Sequence, residues 1–321
     1  MTKRAFSAFK PTGHLTLGNL LGAIMPAVRL QDEADCVYAV ADLHALTVKH
    51  DPGRLRARTL EAATLLLACG LDRSLVYVQS RVPAHTELAY LLESTAYFGE
   101  MRRMIQFKEK AANQEEVRVS LLTYPALMAA DILLHRADLV PVGEDQRQHV
   151  ELTRDLALRF NRLYGETFTV PEAVHPQAAA RVMDLTTPTA KMGKSDGSDA
   201  GTIYLLDSPA DIRRKIMRAV TDSGTEVRHD PGEKPGVSNL LTLLAVCSGR
   251  PVASLAFPSY GALKRETAEA VVETLRPIRE RHAELSADPA EPARRLEAGA
   301  AAAAERTADL MAAARRAIGV L

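Results

Sequence analysis

Short apolar runs alternate with segments of helical periodicity in this chain, and this alternation constrains its fold more than any other feature. Residues 36–41 and 75–79 are short apolar runs, as in strands buried on both faces, and the helix-like stretch 56–69 lies between them. Residues 4–9 and 139–142 are two further strand candidates. Strands that alternate with helices are joined by right-handed crossovers. The sequence therefore predicts an α/β fold with a parallel sheet covered on both faces.

The pattern changes at about residue 208, after which strand-like runs become rare. Helical patterns cover 210–220 and 265–281, and the Ala-rich stretch 291–318 favours a long helix by propensity. A chain of 321 residues is long enough for about two domains at ~150 residues each. We therefore predict a sheet-containing domain over 1–207 and a helical domain over 208–321.

Composition excludes several classes of protein. Lys and Arg total 40, as do Asp and Glu, so the chain lacks the overall positive charge of many nucleic-acid binders. Three dispersed cysteines without a Cys-x-x-Cys pair argue against a disulfide framework or a thiolate metal site. No window reaches the ~18 apolar residues of a membrane helix, and the start lacks a targeting pattern, so we expect a cytoplasmic location.

Two segments have the residue types that bind phosphate. Residues 11–19 contain two glycines and a helix start directly after the first strand, where an α/β sheet commonly binds ligands. A capped helix entry without a ligand is the alternative interpretation. Residues 191–195 contain two lysines three positions apart with Gly and Ser, which suits a polyphosphate; a solvated surface loop is the alternative.

Together the two segments resemble the nucleotide-binding signatures of class I aminoacyl-tRNA synthetases. Residues 16–19 (Thr-Leu-Gly-Asn) look like the HIGH element, and 191–195 (Lys-Met-Gly-Lys-Ser) look like KMSKS, in the expected order and about 170 residues apart. Segments 104–110, 123–134, 140–155, 219–223 and 273–277 are further similar to bacterial tryptophanyl-tRNA synthetases. The resemblance implies a Rossmann-like catalytic domain, a helical anticodon-binding domain, ATP-dependent activation of tryptophan with Mg²⁺, transfer to tRNA(Trp), and a homodimer.

Asp131 is the residue on which amino-acid specificity would depend. On a helix it shares a face with Met128 and Ile132, so its carboxylate lies among apolar neighbours. A buried carboxylate either meets an Arg within the fold or awaits a donor from a ligand. The indole N–H is such a donor, and within the family the second interpretation is favoured. The predicted pocket around it consists of Phe6, Met128, Ile132, Val140 and Val142.

The resemblance also implies roles for other residues. Tyr124 and Gln146 match the positions that hold the amino-acid ammonium, and His44 matches a histidine that lines the pocket. The ATP-binding matches are Lys10, Thr12, Gly18, Asn19, Gly143, Asp145, Val182 and Met192. The matches that would act on phosphate during catalysis are Thr16, Lys110, Lys191, Lys194 and Ser195. No protein ligand for a metal is assigned. Without the family, these residues could equally be a core histidine, a helix cap, a turn glycine, core residues or a solvated face.

Three positions depart from the family pattern. Lys10 stands where familiar members carry Gln, Ala8 replaces a Gly, and Gly193 replaces the middle Ser of KMSKS. These departures resemble the auxiliary, indolmycin-resistant branch of the bacterial enzymes, and the complete lack of Trp fits an enzyme made when charged tRNA(Trp) is scarce. Chance absence of a rare residue is the alternative.

Local basic clusters and rival functions complete the predictions. Two clusters could contact tRNA phosphate, and residues 101–107 are a candidate dimer interface. A tyrosine-specific synthetase, a regulatory paralogue without activity and a related nucleotidyltransferase are the alternative functions. The two clusters consist of Arg102, Arg103 and Lys108, and of Arg213, Arg214, Lys215 and Arg218.

Overall fold

A computed structural model describes residues 2–112, 116–143, 146–174, 181–193 and 199–320 of the chain. Contacts within it divide the chain into two units. The first comprises Met1–Thr12, Ala27–Pro176 and Asp288–Leu321, and the second comprises Gly13–Pro26 and Gln177–Ala287. Within the described ranges, no helix is long and apolar enough to cross a membrane.

The first unit contains a five-stranded parallel sheet with the strand order β3-β2-β1-β4-β5. The predicted α/β class is confirmed. The register pairs Arg4 with Asp35 and Phe9 with Val40, so β1 and β2 are aligned along their whole length. The strands are β1 (Arg4–Phe9), β2 (Asp35–Val40), β3 (Leu75–Val78), β4 (Leu139–Pro141) and β5 (Glu172–Val174).

Most of the described chain is helical, and the longest helices lie towards the carboxyl terminus. A π-helical segment, Leu20–Ile24, separates the first two α-helices. The α-helices are α1 (Leu17–Asn19), α2 (Met25–Leu30), α3 (Pro52–Ala68), α4 (Ala84–Glu93), α5 (Phe98–Arg103), α6 (Ile105–Ala111), α7 (Val119–Leu134), α8 (Arg147–Tyr164), α9 (Pro209–Met217), α10 (Pro235–Ser248), α11 (Tyr260–Ala287) and α12 (Ala290–Ile318).

The last helix packs on the sheet of the first unit. A Cβ atom on Gly299 of α12 would lie 2.0 Å from the Val76 carbonyl oxygen of β3, so only glycine permits this approach. Ala300 and Ala303 are buried in the same apolar cluster as Val37 of β2. The Ala-rich composition therefore lets α12 lie close to the sheet backbone. This packing differs from the predicted boundary at residue 207, which grouped α12 with the preceding helices.

The second unit is mainly helical within its described residues. Helices α9 and α10 both pack against α11. Leu240 and Leu244 of α10 are buried, as are Val271 and Leu275 of α11. The predicted helical region after residue 208 is thus present in α9, α10 and α11. Its assignment to anticodon binding stays a prediction.

Candidate active site

The Asp131 carboxylate lies in the first unit and is almost completely buried, with 1% of the residue exposed. Its Oδ1 accepts hydrogen bonds from Nε2 of Gln79 and Nδ1 of His85, both at 2.7 Å, and its Oδ2 accepts one from Nε2 of His44 at 2.8 Å. Two histidines and an amide thus donate to Asp131 where the sequence left open an Arg within the fold. The carboxylate also does not depend on a ligand for all of its donors. Burial alone would raise the pKa of Asp131, but the hydrogen bonds from His44 and His85 hold it well below its usual range.

These partners reach Asp131 because of the sheet topology. His44 lies in the 3₁₀ turn after β2, and Gln79 begins the turn directly after β3, so both stand beyond the carboxyl ends of parallel strands. That edge is where open α/β sheets bind ligands. His85 comes from the first turn of α4, which packs against α7. Neither Gln79 nor His85 was predicted from the sequence; the position of Gln79 at the end of a predicted strand was the available signal.

The predicted apolar pocket residues come together in one cluster. Phe6 of β1, Ile132 of α7 and Val140 of β4 are buried in one cluster, and Met128 and Val142 pack against it. These side chains supply an apolar wall beside a single carboxylate. The wall alone equally suits a structural core, so the ligand role of its members stays a prediction.

Aromatic and basic side chains stand next to this cluster. The Tyr124 hydroxyl is 2.6 Å from Nε2 of His149, and the edge of its ring meets the His44 ring at a centroid distance of 6.2 Å. The Lys110 ammonium lies 5.7 Å from the centroid of the Tyr124 ring. Tyr124 is thereby held between a pocket histidine and a cation. The sequence analysis missed His149.

Lys10 is connected to the Asp131 site through Thr47 and the main chain of His44. Its Nζ donates to the Thr47 hydroxyl at 3.4 Å, and that hydroxyl donates to the His44 carbonyl at 3.0 Å. Burial, with a contribution from the positive charge of Lys110, lowers the pKa of Lys10 to about 8. The side-chain amine of Lys10 is therefore only partly protonated at mildly alkaline pH.

The remaining predicted residues of the first unit lie at its strand and helix ends. Thr12 is exposed three residues after β1. Gln146 precedes α8, and its backbone N–H donates to the Gly143 carbonyl at 2.9 Å. Asp145 lies outside the described residues.

In the second unit the HIGH-like residues form a helix cap. The Asn19 N–H donates to the Thr16 hydroxyl at 3.2 Å, and the Thr16 N–H donates to Oδ1 of Asn19 at 3.1 Å. This reciprocal capping box satisfies two donors at the start of α1. The capped entry that we gave as the structural alternative is thus present, and the nucleotide-binding role of these residues stays a prediction.

The two signature segments touch each other within the second unit. A Cβ atom on Gly18 would lie 3.3 Å from the Met192 carbonyl oxygen, so glycine allows the close approach of the HIGH-like turn to the KMSKS-like segment. Met192 is buried, and its N–H donates to the Val182 carbonyl at 3.0 Å. Lys191 is exposed beside it. Lys194 and Ser195 lie outside the described residues.

The second basic cluster is largely engaged in ion pairs within the protein. Lys215 is only 6% exposed, and its Nζ donates to Oδ2 of Asp207 at 2.8 Å. The hypothesis that Lys215 contacts tRNA is therefore wrong, because its charge is buried and paired. Arg213 pairs with Glu269, and Arg214 pairs with Asp211. In the first cluster, the Arg102 guanidinium lies 6.0 Å from the centroid of the Phe98 ring.

Several known proteins are similar to this chain over nearly its whole length. Residues 2–276 match the family described as tRNA synthetases class I (W and Y). A Streptomyces avermitilis protein named tryptophan–tRNA ligase 1 is 58% identical over 99% of each chain. A crystal structure of tryptophanyl-tRNA synthetase from Mycoplasma pneumoniae aligns with a TM-score of 0.91 at 35% identity, over 100% of this chain and 99% of that chain. The Campylobacter jejuni structure, titled as complexed with ADP and tryptophan, aligns with a TM-score of 0.84 at 31% identity, over 99% and 100% of the two chains.

Proposed function

Because the chain belongs to the class I tRNA synthetases and catalyses the ATP-dependent joining of tryptophan to tRNA, we propose that it selects tryptophan through Asp131. The observation that carries this proposal is a buried carboxylate next in the chain to Ile132, whose side chain is buried in one cluster with Phe6 and Val140. Its Oδ2 accepts a hydrogen bond from Nε2 of His44, and a carboxylate oxygen can accept two. The indole N–H would donate the second. Phenylalanine offers no such donor, so its binding would leave the second acceptor position of Oδ2 without a donor.

The reaction has two steps. An oxygen of the tryptophan carboxylate attacks the α-phosphorus of ATP, and pyrophosphate leaves with the electron pair of the broken P–O bond. The terminal ribose hydroxyl of tRNA(Trp) then attacks the carbonyl carbon of the adenylate, loses its proton, and AMP leaves. Neither step requires a protein nucleophile, so the enzyme positions the reactants and stabilises phosphate charge.

The proposed amino-acid site uses residues of the first unit. Tyr124 and Gln146 hold the ammonium group of tryptophan, and His44 orients the Asp131 carboxylate beside the indole. The hydrogen bond between His44 and Asp131 supports this arrangement, as does the contact of the His44 and Tyr124 rings. Met128 and Val142 complete the apolar wall.

The proposed ATP contacts follow the two signatures. Thr16, Gly18 and Asn19 contact the nucleotide through their backbone. The contact between Gly18 and Met192 supports a common site for both signatures. Val182 and Met192 form an adenine wall, and their burial agrees with that role. Further ATP contacts are proposed for Lys10, Thr12, Gly143 and Asp145. Phosphate charge is balanced by Lys110, Lys191, Lys194 and Ser195.

Mg²⁺ is proposed to accompany the phosphates of ATP. Magnesium prefers oxygen ligands and commonly reaches enzymes through substrate phosphates. No group of three or more His, Cys, Asp or Glu suited to a metal occurs in the described part of the chain. We therefore assign no protein ligand to the ion.

A homodimer is proposed on the basis of exposed aromatic surface. Tyr97 and Phe98 at the start of α5 are 63% and 65% exposed, and Ile105 of α6 is 55% exposed. Apolar surface of this kind marks interaction sites. Met101 and Met104 of the predicted interface segment are buried within the unit, so the contact surface would consist of Tyr97, Phe98 and Ile105.

The further proposals concern tRNA, the cell and antibiotics. The helical region over 208–321 is proposed to bind the anticodon of tRNA(Trp), with α12 as its part packed on the sheet, and the enzyme is proposed to act in the cytoplasm.

Lys10 is proposed to weaken binding of indolmycin-like analogues of tryptophan, because it adds a cation where related enzymes carry Gln. The tyrosine-specific and inactive alternatives are not favoured, since the similar relatives are named for tryptophan.

A binding experiment tests the role of Asp131. The chain contains no Trp, so all indole fluorescence comes from the added tryptophan, and its change on binding can be titrated without a protein background. We expect Asp131→Asn to weaken tryptophan binding by about tenfold or more, as loss of a hydrogen bond to a charged group does. Asp155→Asn, an exposed position on α8, is the matched control. Unchanged affinity in a folded Asp131→Asn protein would contradict the proposal.

A further inference from the structure

A row of buried polar side chains extends from Asp131 along the apolar cluster, since Tyr77 belongs to that cluster and the His135 ring stacks on Phe6 at a centroid distance of 5.3 Å. Nδ1 of His85 is 2.7 Å from Oδ1 of Asp131, and Nε2 of the same ring is 2.7 Å from the Tyr77 hydroxyl. That hydroxyl is also 2.7 Å from Nε2 of His135. His85 and Tyr77 are fully buried, and His135 is nearly so. Three elements, α4, β3 and the end of α7, thus contribute to one chain of hydrogen bonds.

The chemistry of the groups sets the direction of this chain. Burial lowers the pKa of His135 to about 3, so this ring is neutral. Its Nδ1 has no hydrogen-bond partner among the described residues, and a buried nitrogen without a partner is tolerated better as an acceptor than as an N–H. The proton therefore sits on Nε2 and is donated to Tyr77. The Tyr77 hydroxyl then donates to His85, and His85 donates to Asp131.

The chain determines which oxygen of Asp131 remains available. Oδ1 accepts from both His85 and Gln79, which occupies its two acceptor positions. Oδ2 accepts from His44. A donor from a ligand would therefore meet Oδ2, and the row behind Oδ1 holds the carboxylate in this orientation.

We propose that His85 and Tyr77 are positioning residues for tryptophan specificity, because they hold Oδ1 of Asp131 and leave Oδ2 to the indole N–H. This inference rests on the proposed role of Asp131. The alternative is that the row only stabilises the core. The two differ in one respect: a positioning role affects ligands that carry an N–H donor, whereas a stabilising role affects all ligands equally.

The test compares tryptophan with β-benzothienylalanine, which has nearly the same shape and carries sulfur in place of the indole N–H. Tyr77→Phe removes one hydroxyl and keeps the ring. We expect this variant to lose about tenfold of the preference for tryptophan in ATP–pyrophosphate exchange, through a higher KM for tryptophan with kcat nearly unchanged. The kinetics with β-benzothienylalanine should stay the same. An unchanged preference, or an equal loss with both amino acids, would overturn the inference.

The chain offers a matched control for this variant. Tyr38 on the neighbouring strand β2 is equally buried, and its hydroxyl donates to the Ala27 carbonyl at 2.6 Å, apart from the Asp131 row. Tyr38→Phe should lower the thermal unfolding midpoint to a similar extent but leave the preference for tryptophan unchanged. A similar fall in preference in Tyr38→Phe would mean that the effect of Tyr77→Phe is one of general stability.

Substitutions of His85 test the same step by rescue. The Asn side chain places its amide nitrogen near the position of Nδ1, so His85→Asn keeps a donor for Asp131, whereas His85→Leu does not. We expect the Asn variant to retain most of the preference for tryptophan and the Leu variant to lose it. Should His85→Leu fail to fold, Tyr77→Phe and His85→Asn still decide the question.

The two proposals fail in distinguishable ways. If Asp131→Asn leaves the preference for tryptophan over β-benzothienylalanine intact, the proposed role of Asp131 is wrong. If Asp131→Asn abolishes the preference but Tyr77→Phe does not, Asp131 selects tryptophan without help from Tyr77, and only the positioning role is wrong.

Discussion

At the residue scale, Lys10 carries a charge that depends on the pH at which the enzyme works. Its pKa of about 8 lies well below the ordinary value of 10.5, because burial and the charge of Lys110 disfavour the ammonium form. Below pH 8 the group is mostly an ammonium, and above pH 8 it is mostly a neutral amine. Any support that Lys10 gives to a carboxylate or a phosphate is therefore lost as the pH rises through about 8.

This leads to a prediction for the pH profile. We expect kcat/KM for tryptophan in ATP–pyrophosphate exchange to fall above about pH 8, because this ratio reports ionisations of the free enzyme and substrate. In Lys10→Gln the part of this fall in kcat/KM that comes from Lys10 should disappear. The part that comes from deprotonation of the tryptophan ammonium should remain. Identical alkaline limbs in the two proteins would contradict a role for the Lys10 charge. The same variant should become more sensitive to indolmycin.

The Asp131 site shows what single residues reveal before a structure is known. Helical spacing was enough to place this carboxylate on an apolar face beside Met128 and Ile132. Its partners His44, Gln79 and His85 could not be predicted in the same way, because they come from other elements. Local periodicity contains no information about which distant side chains meet, and that part of the site had to come from the fold.

At the scale of elements, the sheet was the most predictable part. The runs chosen for β1 to β4 match the observed strands to within one or two residues, because buried parallel strands are short continuous apolar runs. β5 was not predicted, since its three residues, Glu172–Val174, begin with a carboxylate and so form no continuous apolar run. Helix α12 was predicted by propensity, but its position on β3 depends on a close backbone contact that propensity does not report.

Gly299 gives a prediction for this helix. We expect Gly299→Ser to lower the free energy of unfolding by about 1–3 kcal/mol or more, because any Cβ there overlaps the Val76 carbonyl and forces α12 from the sheet. Ala302→Ser, at an exposed position of the same helix, introduces the same side chain and should cost only about 0.5 kcal/mol. Chemical denaturation monitored by circular dichroism measures both. Equal effects would show that α12 does not need its close contact with β3.

At the scale of the whole molecule, the strongest sequence evidence was the joint presence of two short signatures. Either alone is compatible with a helix cap or a surface loop, and Thr16 and Asn19 do form a cap. Their order and separation suggested the family, and the second unit brings them into contact at Gly18 and Met192. The domain boundary was harder to predict, because composition changes at residue 208 whereas α12 returns to the first unit.

Amino-acid-dependent ATP–pyrophosphate exchange measures whether this chain activates tryptophan. The wild-type protein is assayed with tryptophan, with tyrosine and without amino acid. We predict exchange with tryptophan and only background exchange in the other two reactions. Absence of exchange with tryptophan, or equal exchange with tyrosine, would contradict the account of the Asp131 site and its chemistry.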